Sequence, residues 1–76
     1  MTSEEREFLN DIKDAVSDYG YECNHYHEDG YFCVDITINL DEWEPDEIWD
    51  ALEEVTDDWG AGLDSDMKTY YLALEQ

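Results

Sequence analysis

Four side chains near the middle of the chain are of the kinds that bind zinc. Cys23, His25 and His27 alternate with other residues, and Cys33 follows a few positions later. Thiolates and imidazoles are the ligands of tetrahedral zinc sites, and four of them on one face would suffice for such a site. Alternate residues of a strand share a face, so Cys33 joins the other three only if the strands pair in the right register.

Motifs for other chemistry are missing from the sequence. We find no serine-bearing elbow, no glycine-rich phosphate loop and no metalloprotease spacing. The acids around Asp57 and Asp64 lack the central glycine and final glutamate of a calcium loop. A chain of 76 residues is also too short to enclose a deep substrate pocket. We therefore expect no catalytic residue, no specific metal and no cofactor.

The acidic residues are the most informative feature of the composition. The chain has 23 Asp and Glu residues against 3 Lys and Arg, for a formal net charge of -20 at pH 7. The predicted second helix places about one acid per 3 Å of its axis, close to the phosphate spacing of about 3.4 Å along one DNA strand. Its acids are Asp46, Glu47, Asp50, Glu53, Glu54, Asp57 and Asp58, and the first helix adds a sparser row of Glu4, Glu7, Asp11, Asp14 and Asp18.

The same charge excludes several functions. Nucleic acid and anionic membrane surfaces would repel this protein. The sequence has no apolar run long enough to span a membrane and no N-terminal secretory signal, so we expect a cytoplasmic location. Because hydrophobic residues make up 42% and aromatic residues 14% of the chain, we expect residues 1–76 to form a single acidic α+β domain.

Capping patterns predict two helices. The first begins at a capping box of Thr2 and Glu5, and we expect Gly20 to end it in the left-handed conformation. The second begins at Pro45, which suits the first helical position, and it ends at Gly60. Each helix has an apolar stripe with acids beside it.

A hairpin is predicted between the helices. Strands over 21–28 and 31–40 flank an Asp-Gly pair that favours a two-residue turn. Such a turn buries the face with Cys23 and both histidines, whereas a three-residue turn would bury the more polar alternate residues. We favour the two-residue turn. This turn places Cys33 on the face opposite Cys23, His25 and His27. The four potential zinc ligands then do not share a face, and a disulfide between Cys23 and Cys33 is not expected.

A last strand is predicted over residues 67–74, after a loop through 64–66, so the order is α-β-β-α-β. A right-handed crossover would make the second and third strands parallel. Inserting the first strand between them gives a three-stranded sheet of order 2-1-3, with two helices on one face. The open face would display Tyr26, Tyr31, Cys33, Asp35, Thr37, Asn39 and Tyr71.

The tryptophans bear on how a partner would bind. Trp59 lies in the apolar stripe of the second helix, whereas Trp49 lies at its margin beside the acids. A tryptophan in that position is suited to anchor in a partner's pocket. Trp43 and Trp49 could equally fold back over the end of the helix, and the sequence leaves both options open.

Ordinary solubility does not explain the charge, because it needs a net charge of about 2 to 8 with mixed signs. Adaptation to high salt is a second explanation. In size, charge and layout the chain also resembles phage-encoded DNA mimics, which include anti-CRISPR and anti-restriction proteins. This resemblance implies a host cytoplasmic target with a basic nucleic-acid groove, blocked without chemistry. The segments that carry it are Pro45-Asp46-Glu47, Glu53-Glu54 and Asp57-Asp58.

We therefore predict an inhibitor, and no enzyme, that mimics nucleic-acid charge against a CRISPR effector complex or another basic nucleic-acid-binding protein. The main alternatives are an acidic adaptor or antitoxin-like subunit that binds a basic protein, or a homodimer joined through the tyrosine face. The predicted contact residues are Asp46, Glu47, Asp50, Glu53, Glu54, Asp57, Asp58, Glu7, Asp11, Asp14 and Trp49.

Overall fold

The computed structural model describes all residues from 1 to 76, which form two helices and four strands in the order α-β-β-α-β-β. The bounds are α1 Ser3–Ala15, β1 Tyr21–Glu28, β2 Tyr31–Ile38, α2 Pro45–Trp59, β3 Gly62–Asp66 and β4 Thr69–Glu75, with a short 3₁₀ helix at Leu40–Glu42.

Helix α1 begins as predicted, at a reciprocal capping box. The Thr2 hydroxyl accepts from the Glu5 backbone N–H at 3.1 Å, and Glu5 Oε1 accepts from the Thr2 N–H at 2.9 Å. In α2, Pro45 occupies the first turn and Gly60 is left-handed with φ 64°. Both ends of α2 are therefore confirmed.

The predicted end of α1 at Gly20 is wrong. The helix ends at Ala15, and Gly20 does not adopt a left-handed φ. The Gly20 N–H instead donates to Glu42 Oε2 at 2.6 Å, and a Cβ at this position would collide with the Asn39 side chain. The glycine thus allows a close approach of two segments, a requirement that local sequence does not reveal.

The hairpin of β1 and β2 has the predicted register. Glu28 pairs with Tyr31 across a two-residue turn, in which Asp29 has φ 53° and Gly30 has φ 84°. His27 pairs with the buried Phe32. The strand ends at residue 38, two residues earlier than predicted, because the chain turns into the 3₁₀ helix.

The predicted sheet of order 2-1-3 is wrong. The sheet has four strands in the order β1-β2-β4-β3, and all neighbouring strands are antiparallel. The predicted loop over residues 64–66 belongs to β3, which pairs with the last strand across the two-residue turn Met67-Lys68. Consequently the last strand lies beside β2 and antiparallel to it, whereas it was expected beside β1 and parallel to β2.

The distribution of polar residues explains the observed order. Strands β2 and β4 alternate buried and open residues along their whole length, as central strands of a one-sided sheet do. Strands β1 and β3 are mostly exposed, and polar, charged strands are suited to sheet edges. Strand β3 was missed because Leu63 is its only large apolar residue.

The two helices cover one face of the sheet, and the hydrophobic core lies between the helices and this face. It contains Phe8, Leu9, Ile12 and Val16 from the first helical segment, Ile48 and Leu52 from α2, and Phe32, Val34, Ile36, Ile38, Tyr70, Leu72 and Leu74 from the sheet. The other face carries no helix. Neither helix combines the length and the apolar character needed to span a bilayer.

Candidate acidic interface

The two helices lie side by side and run in opposite directions. Near one end, Trp59 Nε1 of α2 donates to Asp11 Oδ2 of α1 at 2.8 Å. Near the other, the Tyr19 hydroxyl donates to Glu47 Oε2 at 3.3 Å. These two hydrogen bonds fix the relative positions of the helices, and each of them uses a carboxylate as the acceptor.

A groove of about 390 Å³ runs between the helices. Ala15, Ala51 and Val55 provide its apolar lining. Small side chains at facing positions let the helix backbones approach closely and leave the larger acids to stand on both sides. The carboxylates that line it are Asp11 and Asp14 on α1, and Glu54 and Asp58 on α2.

A second acidic row lies on the outer side of α2. Its residues recur at intervals of four, three and four, so they share one face of the helix. All four are exposed, and none lines the groove. The row consists of Asp46, Asp50, Glu53 and Asp57. Together with the acids on the two sides of the groove, this row makes the helical surface negatively charged across its width.

The structure brings together four of the predicted contact residues in the groove, and it places the others around it. Glu7 is exposed on α1 but does not line the groove. Glu47 lies near one end, where it accepts from Tyr19. The alanines on the groove floor were not predicted, although small residues at facing helix positions were a signal available in the sequence.

No cation neutralises this surface. Arg6, Lys13 and Lys68 form no ion pair with a carboxylate, and the one ion pair in the molecule joins His27 to Glu5. The Glu47 carboxylate raises the pKa of Glu44, chiefly through a hydrogen bond and further through charge repulsion. This neighbouring pair of carboxyl groups therefore favours proton uptake at the start of α2.

The tryptophans fold back onto the protein. Trp43 Nε1 donates to the Tyr70 hydroxyl at 3.0 Å, and Trp49 Nε1 donates to Glu53 Oε2 at 3.1 Å. Both indoles are half-buried and pack against the core. Of the two options left open by the sequence, the structure shows the inward one, with Trp49 keeping only part of its surface available to a partner.

The cysteines and histidines do not assemble into a site. The register places Cys33 on the face opposite Cys23, His25 and His27, and no group of three or more metal-ligating side chains has a metal-binding arrangement. Both cysteines are free thiols, and burial raises the pKa of each. They are therefore uncharged near neutral pH and poor nucleophiles.

Comparison of the chain with protein-family models and with curated proteins finds no match. The physical character of the helical surface is thus the basis for any functional conclusion.

Proposed function

We propose that the protein inhibits a basic nucleic-acid-binding protein, a CRISPR effector complex before others, by presenting the charge pattern of a nucleic acid. The observation that carries the proposal is the groove between antiparallel helices with Asp11 and Asp14 on one side and Glu54 and Asp58 on the other. Two lines of anions beside an uncharged floor are the general electrostatic plan of a duplex groove.

The acidic helical surface lacks cationic partners within the protein. Since the net charge is -20 and no Lys or Arg forms an ion pair with a helical carboxylate, most of this charge is available to an outside partner. Lysines and arginines built to hold phosphates accept carboxylates in the same way. The partner gains these contacts without chemistry, and the inhibitor acts by occupying the groove, in the cytoplasm of a host cell if it is phage-encoded.

A charge-reversal set tests this proposal. The variant Asp14→Lys, Glu54→Lys, Asp58→Lys changes both sides of the groove, and it spares Asp11 because that residue accepts from Trp59. We expect loss of the protein's ability to displace duplex DNA from the target, and unchanged or higher thermal stability. The matched control is Glu22→Lys, Glu28→Lys, Glu75→Lys, which changes net charge equally at exposed strand positions.

The measurement is a pull-down from host lysate with and without competing duplex DNA, followed by a DNA-displacement assay on the captured protein. Binding should weaken about tenfold or more when salt rises from about 50 to 200 mM. Full inhibition by the groove variant would refute the mimicry. Capture that is indifferent to DNA would instead favour the acidic adaptor.

A further inference from the structure

The face of the sheet without helices carries a second groove, of about 320 Å³. Strand pairing places Cys33, Ala73 and Gly62 in one row across β2, β4 and β3. These are small residues, so the row forms a shallow depression. The exposed rings of Tyr26 and Tyr71 line it.

The adjacent row contains two carboxylates. Asp35 of β2 pairs with Tyr71 of β4, which pairs with Asp64 of β3. Both acids line the groove. Asp64 Oδ1 accepts from the Ser65 N–H at 2.8 Å, whereas Asp35 Oδ1 is shielded from solvent and accepts no hydrogen bond. A shielded carboxylate oxygen without a donor is unfavourable, and the protein offers no cation here, since none of its Lys or Arg residues lines the groove.

We propose that this groove binds an arginine side chain of a basic partner protein. A guanidinium group is planar and weakly hydrated, it stacks on aromatic rings, and it carries several donors that suit carboxylates. The tyrosine rings offer the stacking surface, and the carboxylates of Asp35 and Asp64, which line the groove, supply the opposite charge. A lysine ammonium is more strongly hydrated and would fit this largely apolar groove less well.

A second copy of this chain is the poorer occupant. Two molecules of net charge -20 would repel each other, and the carboxylates of one copy would face those of the other. The same charge attracts a basic protein from a distance. The groove proposed to bind arginine lies on the opposite face of the sheet from the groove between the helices. The proposal therefore does not rest on the mimicry proposed above.

The pKa of Tyr26, which lines this groove, responds to the negative charge of Asp35. The Asp35 carboxylate is the main cause that raises the pKa of Tyr26, with burial second. A bound cation would offset that effect, and the phenol would then ionise at lower pH.

The test uses the full chain and two peptides, Ac-Gly-Arg-Gly-NH₂ and Ac-Gly-Lys-Gly-NH₂, in a ¹H–¹⁵N NMR titration. We expect the arginine peptide to shift the amide signals of Gly62, Ala73 and Asp35 saturably, and to bind several-fold more tightly than the lysine peptide. Asp35→Asn should weaken binding about tenfold or more, and the Tyr26 pKa should fall when the arginine peptide binds.

Gly62→Leu provides a second variant, because a side chain at this position has ordinary clearance from the nearest atom, Ala73 O, at 3.9 Å. It should block the groove and abolish the shifts, and the control Asp14→Asn on α1 should leave them unchanged. The proposal is overturned if the two peptides bind equally, if only helical amides shift, or if Asp35→Asn binds the arginine peptide as tightly as the wild type.

Discussion

Glu5 and Asp35, which lie on opposite sides of the sheet, differ in the hydrogen bonds that their carboxylates accept. Glu5 is only 2% exposed, yet it receives the Thr2 backbone N–H and lies 2.6 Å from His27 Nε2. Asp35 is half-buried and its Oδ1 receives no donor. A buried acceptor with donors stabilises the fold, whereas one without them is retained at a cost. The two residues therefore differ in their effect on the fold: Glu5 stabilises it, whereas Asp35 carries an unpaired oxygen that costs stability.

The donors to Glu5 predict a pH dependence of stability. The hydrogen bond from Thr2, followed by that from His27, lowers the pKa of Glu5 below its usual 4.5. A carboxyl whose pKa is lower in the folded state stabilises the fold above the unfolded pKa, and this contribution is lost as the pH falls through the folded value. Glu5→Gln should lower the free energy of unfolding at pH 7 and flatten its decline below about pH 4.5.

Urea unfolding at a series of pH values measures this effect. Glu4→Gln is the matched control, because it removes the same charge from the exposed neighbouring position. Parallel pH profiles for wild type and Glu5→Gln would contradict the prediction.

At the scale of the elements, the strongest contrast is between β3 and the other strands. The capping box and the Asp-Gly turn determine the start of α1 and the first hairpin through contacts between residues near in sequence, and both were predicted. Strand β3 has a single large apolar residue, and it forms because β4 offers it a complete pairing edge. The strand order follows from the pairing of β4 with β2, which are far apart in sequence, and no local pattern contains this pairing.

The candidate site was predictable to a similar extent. The acidic rows follow from helical periodicity, so the residues could be named in advance. Which acids face the groove depends on how α1 and α2 pack, and this packing is set by Ala15, Ala51 and the hydrogen bond from Trp59 to Asp11. The unpaired oxygen of Asp35 depends on the register of three strands and was not predictable.

The turn between β3 and β4 provides a prediction for a single position. Met67 has φ 53° and its side chain is 70% exposed. The energetic cost of its left-handed backbone is therefore not offset by burial of the side chain. Met67→Gly should raise the free energy of unfolding by about 1 kcal/mol. Lys68→Gly is the control, because Lys68 has no left-handed φ, and it should leave stability unchanged or lower it. Chemical denaturation of both variants measures the difference, and equal effects would refute the role assigned to Met67.

At the scale of the whole molecule, the charge acts as a single field. The protein measures 34 × 20 × 18 Å, and the Debye length is about 30 Å at 0.01 M salt but about 8 Å at 0.15 M. In dilute buffer each carboxylate therefore repels nearly every other one. The fold tolerates this repulsion because its core is continuous from α1 through the sheet to α2.

This field predicts stabilisation by salt and by mild acid. Raising NaCl from about 0.01 to 0.5 M should raise the melting temperature by several degrees, about 4–8 °C for each kcal/mol of repulsion removed. The raised pKa of Glu44 adds stability that is present below its unfolded pKa and is lost as the pH rises through the folded value.

Stability should therefore increase as the pH falls from neutral through the raised pKa of Glu44, before the loss at Glu5 begins. Calorimetry across this range measures the increase, and Glu44→Gln should make it smaller. A melting temperature that is indifferent to both salt and pH would show that the carboxylates are too far apart to interact.

The two outer strands, β1 and β3, each expose one row of unpaired backbone N–H and C=O groups, and such rows can recruit another chain into a growing fibril. Glu22 and Glu28 stand on one of these strands, and Asp64 and Asp66 on the other. Charged side chains on edge strands oppose the addition of a strand from a neighbouring molecule. We therefore expect the acidity that costs this small fold part of its stability to oppose aggregation as well.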